Sequence, residues 1–171
     1  MSEFEAQIGN ASATLPVDPE LGRPSRVRGP ARAGDRRLLV AIGLAGALGA
    51  LARYGLERAV PAGAGGVPWG TFLINVSGSL GIGFALVMFA DRFPRARLGR
   101  PLVVTGFLGG YTTFSTYVVE ADTLFRHHEV AVGAAYSLGS LLAGAAGALA
   151  GMLLARVVVR LERARRERTD R

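Results

Sequence analysis

Apolar positions fall into four long runs separated by short charged or glycine- and proline-rich stretches, a pattern of membrane helices rather than of an amphipathic soluble bundle. The first run starts near Leu38 and ends by Val60, predicting a helix over 38–60. Pro61 to Pro68, broken by Gly63, Gly65 and Gly66, predicts a loop. Trp69 to Ala90 carries no charge over 22 positions, enough to cross a hydrocarbon core about 30 Å thick. After the basic stretch Asp91 to Arg100, a third helix is predicted over 101–125 and a fourth over 130–159. Residues 1–36, with Pro16, Pro19, Pro24 and Pro30 and no apolar run, read as a disordered tail. Residues 160–171 read as a charged C-terminal tail that prolongs the last helix and frays.

The third run is interrupted at its middle by Gly106-Phe-Leu-Gly109-Gly110-Tyr111-Thr112-Thr113-Phe114-Ser115-Thr116-Tyr117. Paired glycines weaken a helix, and the hydroxyls that follow compete for its backbone groups. Irregular backbone at membrane depth is tolerated only where protein or a water-filled path satisfies it. The segment therefore predicts a broken helix, freeing carbonyls for a cation and amides or hydroxyls for an anion. Phe114 adds a ring whose positive edge can face an anion without trapping it.

Two other helices place polar groups in register. Thr71, Asn75, Gly78 and Ser79 share one face of the second helix. The Asn75 amide either donates to an anion or bonds a neighbouring helix. In the fourth helix Gly133, Tyr136, Ser140, Gly144, Gly147 and Gly151 form one narrow stripe. Small residues so spaced permit close helix packing, whereas the Tyr136 and Ser140 hydroxyls need partners away from lipid. Arg53 lies inside the first run and either snorkels to the interface or lends positive potential to a pore mouth.

Composition narrows the classes. The chain has no cysteine, which removes disulfides, thiolate nucleophiles and cysteine metal sites. The only histidines, His127 and His128, fall in a short connection and read as a solvated turn. No nucleophile, base and orienter set is visible, so an enzyme is not expected. Every basic residue is an arginine, and arginines flank the apolar runs, which points to a membrane and not to nucleic acid. In a four-helix topology 17 of the 20 share one side, two, Arg58 and Arg126, lie on the other, and Arg53 is within a helix. Arginine excess marks the inner side, so both termini are expected in the cytoplasm.

Three motifs now carry a resemblance: Gly-Ala-Leu-Gly-Ala-Leu-Ala-Arg53-Tyr54, Gly70-Thr71-Phe-Leu-Ile-Asn75-Val-Ser-Gly78-Ser79, and the third-run segment from Gly106 to Thr116. In this order, over roughly residues 38–158, the chain resembles the small bacterial fluoride channels of the Fluc, or CrcB, family. The resemblance implies an all-α membrane protein with four transmembrane helices, the third broken at its centre, assembled as an antiparallel dual-topology dimer in the bacterial cell membrane. It implies a channel domain at 37–159 that passes fluoride selectively and passively, lowering cytoplasmic fluoride and its toxicity. A structural, untransported sodium ion is implied at the centre, with Gly109 and Thr112 supplying backbone carbonyls here. The implied fluoride path comprises Asn75, Phe114, Ser115, Thr116, Tyr136 and Ser140, with Arg53 matching the family's first-helix arginine.

This chain departs from the family pattern at Tyr117, where a second phenylalanine is common, and at Gly144, where some members carry a serine. Its arginine imbalance is also unlike that of a protein that inserts both ways. An oppositely oriented paralogue is therefore the expected partner, besides membrane lipid and fluoride. The alternative is a small multidrug-type four-helix exporter, which would want an embedded glutamate in the first helix; none precedes Arg53.

Overall fold

The computed structural model describes residues 33–60, 66–94, 96 and 98–169. Of the expected tail at 1–36, residues 1–32 lie outside the described residues, whereas 33–36 are already helical. From Gly34 onward the described residues belong to one compact unit.

Helix α1 runs Ala33–Ala59. It begins before Leu38 because a helix start does not require apolar residues. Helix α2 is Trp69–Val87 and continues through one widened π-helical turn, Met88–Arg92. The third span, α3, is π-helical over Pro101–Leu108 and α-helical over Gly109–Tyr111. Thr112 then takes extended backbone, φ −76° and ψ 155°, and helix resumes as α4, Ser115–Arg126. Helix α5 is Val130–Thr169. The four stretches Arg36–Ala59, Trp69–Arg92, Pro101–Arg126 and Val130–Arg168 are each long and apolar enough to cross a membrane.

Helix α5 continues past residue 159 through the charged segment to Thr169, so the expected prolongation of the last helix is present. Arginine, glutamate, leucine and alanine are all good helix formers, so loss of apolarity does not stop the helix. Forty residues at about 1.5 Å each make a rod of roughly 60 Å, well beyond the ~30 Å hydrocarbon core. Arg92 Nε donates to Glu162 Oε2 at 2.6 Å and ties the projecting part to the end of the second span.

Two close helix pairs organise the bundle. In α2 against α5, a Cβ on Gly83 would collide with the Ala148 carbonyl and one on Gly151 with the Leu80 carbonyl, so backbones touch there. In α1 against α3, a Cβ on Gly106 would come within 2.9 Å of the Ile42 carbonyl, and one on Gly110 would strike that of Gly46. Tyr117, Ala121, Leu124 and Tyr136 form a buried cluster with Val67, Phe72 and Val132 packed on it. Leu44, Leu48, Leu142 and Leu149 point outward, as lipid-facing side chains do. Between α4 and α5, His128 adopts φ 61° and the His128 and Glu129 amides donate to the Phe125 and Leu124 carbonyls at 3.1 and 3.0 Å. Such an arrangement caps a helix C-terminus.

Candidate functional site: a clamped break in the third span

The interruption between α3 and α4 is closed by one side chain from α2. Asn75 Nδ2 donates to the Thr113 carbonyl at 2.8 Å, and the Thr113 amide donates to Asn75 Oδ1 at 2.9 Å. Two backbone groups that leave the helical ladder are thereby satisfied at membrane depth, where unpaired ones are costly. Of the two roles open to Asn75 in the sequence, helix bonding is occupied here by one N–H, while its second N–H remains for another acceptor.

The same bonds release two carbonyls. In an unbroken helix the Thr113 amide would close on Gly109 and the Thr116 amide on Thr112. Instead the first goes to Asn75 Oδ1 and the second to Thr113 Oγ1 at 3.2 Å. Thr113 Oγ1 also donates to Thr116 Oγ1 at 3.0 Å and lies 3.4 Å from Ser115 Oγ. Above the break, the Thr112 amide and Oγ1 both donate to the Leu108 carbonyl, each at 3.0 Å.

A pocket of about 310 Å³ opens beside the clamp. It brings together Asn75, Thr112, Phe114 and Ser140 from the sequence-predicted set, with Tyr117 and Gly144. Ser140 lines the pocket at 8% exposure, and its buried Oγ makes no hydrogen bond. Phe114 is 71% exposed; its ring meets Tyr117 at 5.6 Å between centroids. Gly109 and Ser115 are exposed and do not line this pocket.

Thr116 faces a second pocket of about 210 Å³ with Glu57, Thr71 and Glu120. Tyr136 directs its hydroxyl to Glu120 Oε2 at 2.8 Å, while Thr71 Oγ1 donates to Glu120 Oε1 at 2.8 Å. Both carboxylate oxygens are thus engaged inside the bundle. Glu120 is not among the residues that the sequence singled out. The available signal was spacing: Glu120 follows Thr116 by one turn, and Thr71 precedes Asn75 by one turn. Glu57 Oε1, buried at the same pocket, makes no hydrogen bond. Arg53, one turn before Glu57, forms no ion pair among the described residues.

The two departures from the family pattern find definite surroundings. Tyr117 OH donates to the Ser137 carbonyl at 3.0 Å, so the extra hydroxyl has its partner in α5. A Cβ on Gly144 would sit 3.5 Å from Ser79 Oγ, which is ordinary contact.

Comparison with known proteins gives one consistent result. Residues 40–152 match the family described as "CrcB-like protein, Camphor Resistance (CrcB)". The chain is 43% identical over 122 residues to "Fluoride-specific ion channel FluC 2" of Nocardia farcinica (strain IFM 10152), covering 71% of this chain and 87% of that one. It is 41% identical over 130 residues to "Fluoride-specific ion channel FluC 1" of Streptomyces coelicolor (strain ATCC BAA-471 / A3(2) / M145), covering 73% and 84%. It is 39% identical over 121 residues to "Fluoride-specific ion channel FluC" of Nitrobacter winogradskyi (strain ATCC 25391 / DSM 10237 / CIP 104748 / NCIMB 11846 / Nb-255), covering 70% and 96%.

Proposed function

The chain belongs to the CrcB-like protein family, and on that premise we propose that it is a fluoride-specific ion channel, a non-enzymatic, multi-pass membrane protein. Passive efflux through it lowers cytoplasmic fluoride. The observation that carries this reading is the Asn75 clamp on Thr113 beside a pocket with an unspent Ser140 hydroxyl.

Fluoride is small and strongly hydrated, so a path must replace its water with donors that hold it weakly enough to release it. Ser140 Oγ and the second Asn75 N–H serve as neutral donors in the larger pocket. The Phe114 ring offers its positive edge at the pocket's exposed side. None of these carries a charge, so none traps the ion. Thr116, beside Thr71 and the Tyr136-held Glu120, continues the polar lining into the second pocket. Arg53 adds positive potential near one mouth.

The backbone fits a sodium ion at the break, since the Gly109 and Thr112 carbonyls have each lost their helical amide donor. Those two carbonyls would hold it, and a resident cation supplies fixed positive potential close to the anion path. Gly109, Phe114 and Ser115 are exposed where lipid cannot satisfy broken backbone. An antiparallel dimer covers that face. With 17 arginines on one side against two on the other, this subunit sits in the cell membrane with both termini cytoplasmic and pairs with an oppositely oriented paralogue.

Fluoride efflux from liposomes, measured with the chain alone and mixed with a paralogue, tests both levels. Absence of flux in both preparations would sink the channel reading. Flux only in the mixture supports obligate pairing, whereas a functional homodimer with termini labelled on both faces overturns it. Phe114→Ile lowers conduction while the assembly still forms; unchanged flux removes Phe114 from the path.

A further inference from the structure

Tyr117 lines the larger pocket and is linked to the smaller one through Tyr136 and Glu120, and neither the clamp nor the cation site uses it. Its ring is 8% exposed. On one side it meets Phe114, with which it lines the larger pocket. On the other it meets Tyr136 at 5.6 Å between centroids, and Tyr136 holds Glu120, a wall of the smaller pocket. The hydroxyl donates to the Ser137 carbonyl of α5 at 3.0 Å.

Each element of this arrangement restrains the ring. A buried aromatic ring can swing only if its neighbours give way. Phenylalanine at this position would be held by packing alone. Tyrosine adds a directed bond across the seam between α4 and α5, and that bond must break before the ring turns.

From these contacts the geometry points to Tyr117 as a latched partition in the anion path: its hydroxyl pins the ring between the pockets and slows passage from one to the other. Tyr117 is a positioning residue, since its donor is spent on Ser137 and faces no anion. The inference rests on the fluoride-channel reading, and it makes this chain a slower channel than its phenylalanine counterpart.

The test is Tyr117→Phe in the reconstituted channel, paired as the wild type requires, with initial fluoride efflux recorded against fluoride concentration. Removing the one bond should raise the maximal rate about threefold or more, the order set by losing a single neutral hydrogen bond. The half-saturating concentration stays within about twofold, because donors in the larger pocket are untouched. Damage to the fold lowers the rate instead, so a rise separates a latch from a structural prop. An equal or lower maximal rate, or failure of Tyr117→Phe to assemble, overturns the latch. Silence of the wild type itself would instead refute the channel reading, which keeps the two failures apart.

Discussion

Asn75 grips Thr113 by both backbone groups, donating to the carbonyl at 2.8 Å and accepting from the amide at 2.9 Å. One amide side chain on α2 thus completes the hydrogen bonding of a break in another span. Asparagine suits this place because its side chain is itself an amide and reproduces the donor and acceptor of a missing peptide neighbour.

Replacing Asn75 by alanine leaves the Thr113 N–H and C=O unpaired, a loss of roughly 2–4 kcal/mol when both are buried. Asn75→Ala is expected to lower the thermal midpoint in detergent by several degrees and fluoride flux by tenfold or more. Asn75→Asp retains an acceptor for the amide but cannot donate to the carbonyl, so its midpoint falls between. Equal midpoints for wild type and Asn75→Ala would refute the clamp.

The Glu120 carboxylate accepts from Thr71 and Tyr136, so the three side chains act as one unit. Thr71→Val or Tyr136→Phe should each cost about 1 kcal/mol. In a Glu120→Ala background both should cost markedly less, because contacting groups are not additive. Chemical denaturation of the single and double variants measures this, and strict additivity would break up the network.

Gly83 and Gly151 sit where α2 and α5 touch backbone to backbone, whereas a Cβ on Gly139 meets nothing within 4 Å. Gly151→Ala must push the helices apart and is expected to cost roughly 1–3 kcal/mol, as overpacking does. Gly139→Ala should be neutral or slightly stabilising through helix propensity. Comparison of their unfolding midpoints checks the assigned contact face; equal effects would contradict it.

Arg92 and Glu162 are 34% and 43% exposed, which puts their pair in the weak class. Glu162→Ala should change stability by no more than about 1 kcal/mol and leave fluoride flux intact. High salt should erase even that difference. A large loss of flux would mean that the projecting end of α5 takes part in conduction.

Much of the architecture was legible in the chain. Four predominantly apolar runs of sufficient length leave few options in a solvent that cannot bond to backbone, and the four spans lie at those places, the third with its break. Helix ends were less legible, because hydropathy reports where lipid ends and not where a helix stops; α1 already begins at Ala33, inside the expected tail. At the site, Asn75, Thr112, Phe114 and Ser140 gather at one pocket. Thr116 and the Tyr136 hydroxyl turn instead toward Glu120.

The sequence by itself determined that the chain crosses a membrane, where its third span carries glycines and hydroxyls, and that arginines crowd one side. Those are properties of composition and spacing along one dimension. Only the tertiary structure decided which donors are spent and which are left. Asn75 is bound to Thr113, the Tyr117 hydroxyl to Ser137, and both oxygens of Glu120 to Thr71 and Tyr136, while Ser140 keeps its hydroxyl free. Partners 16 to 49 residues apart are brought together by helix packing, and a hydrogen bond depends on ångström-scale approach that linear spacing does not encode.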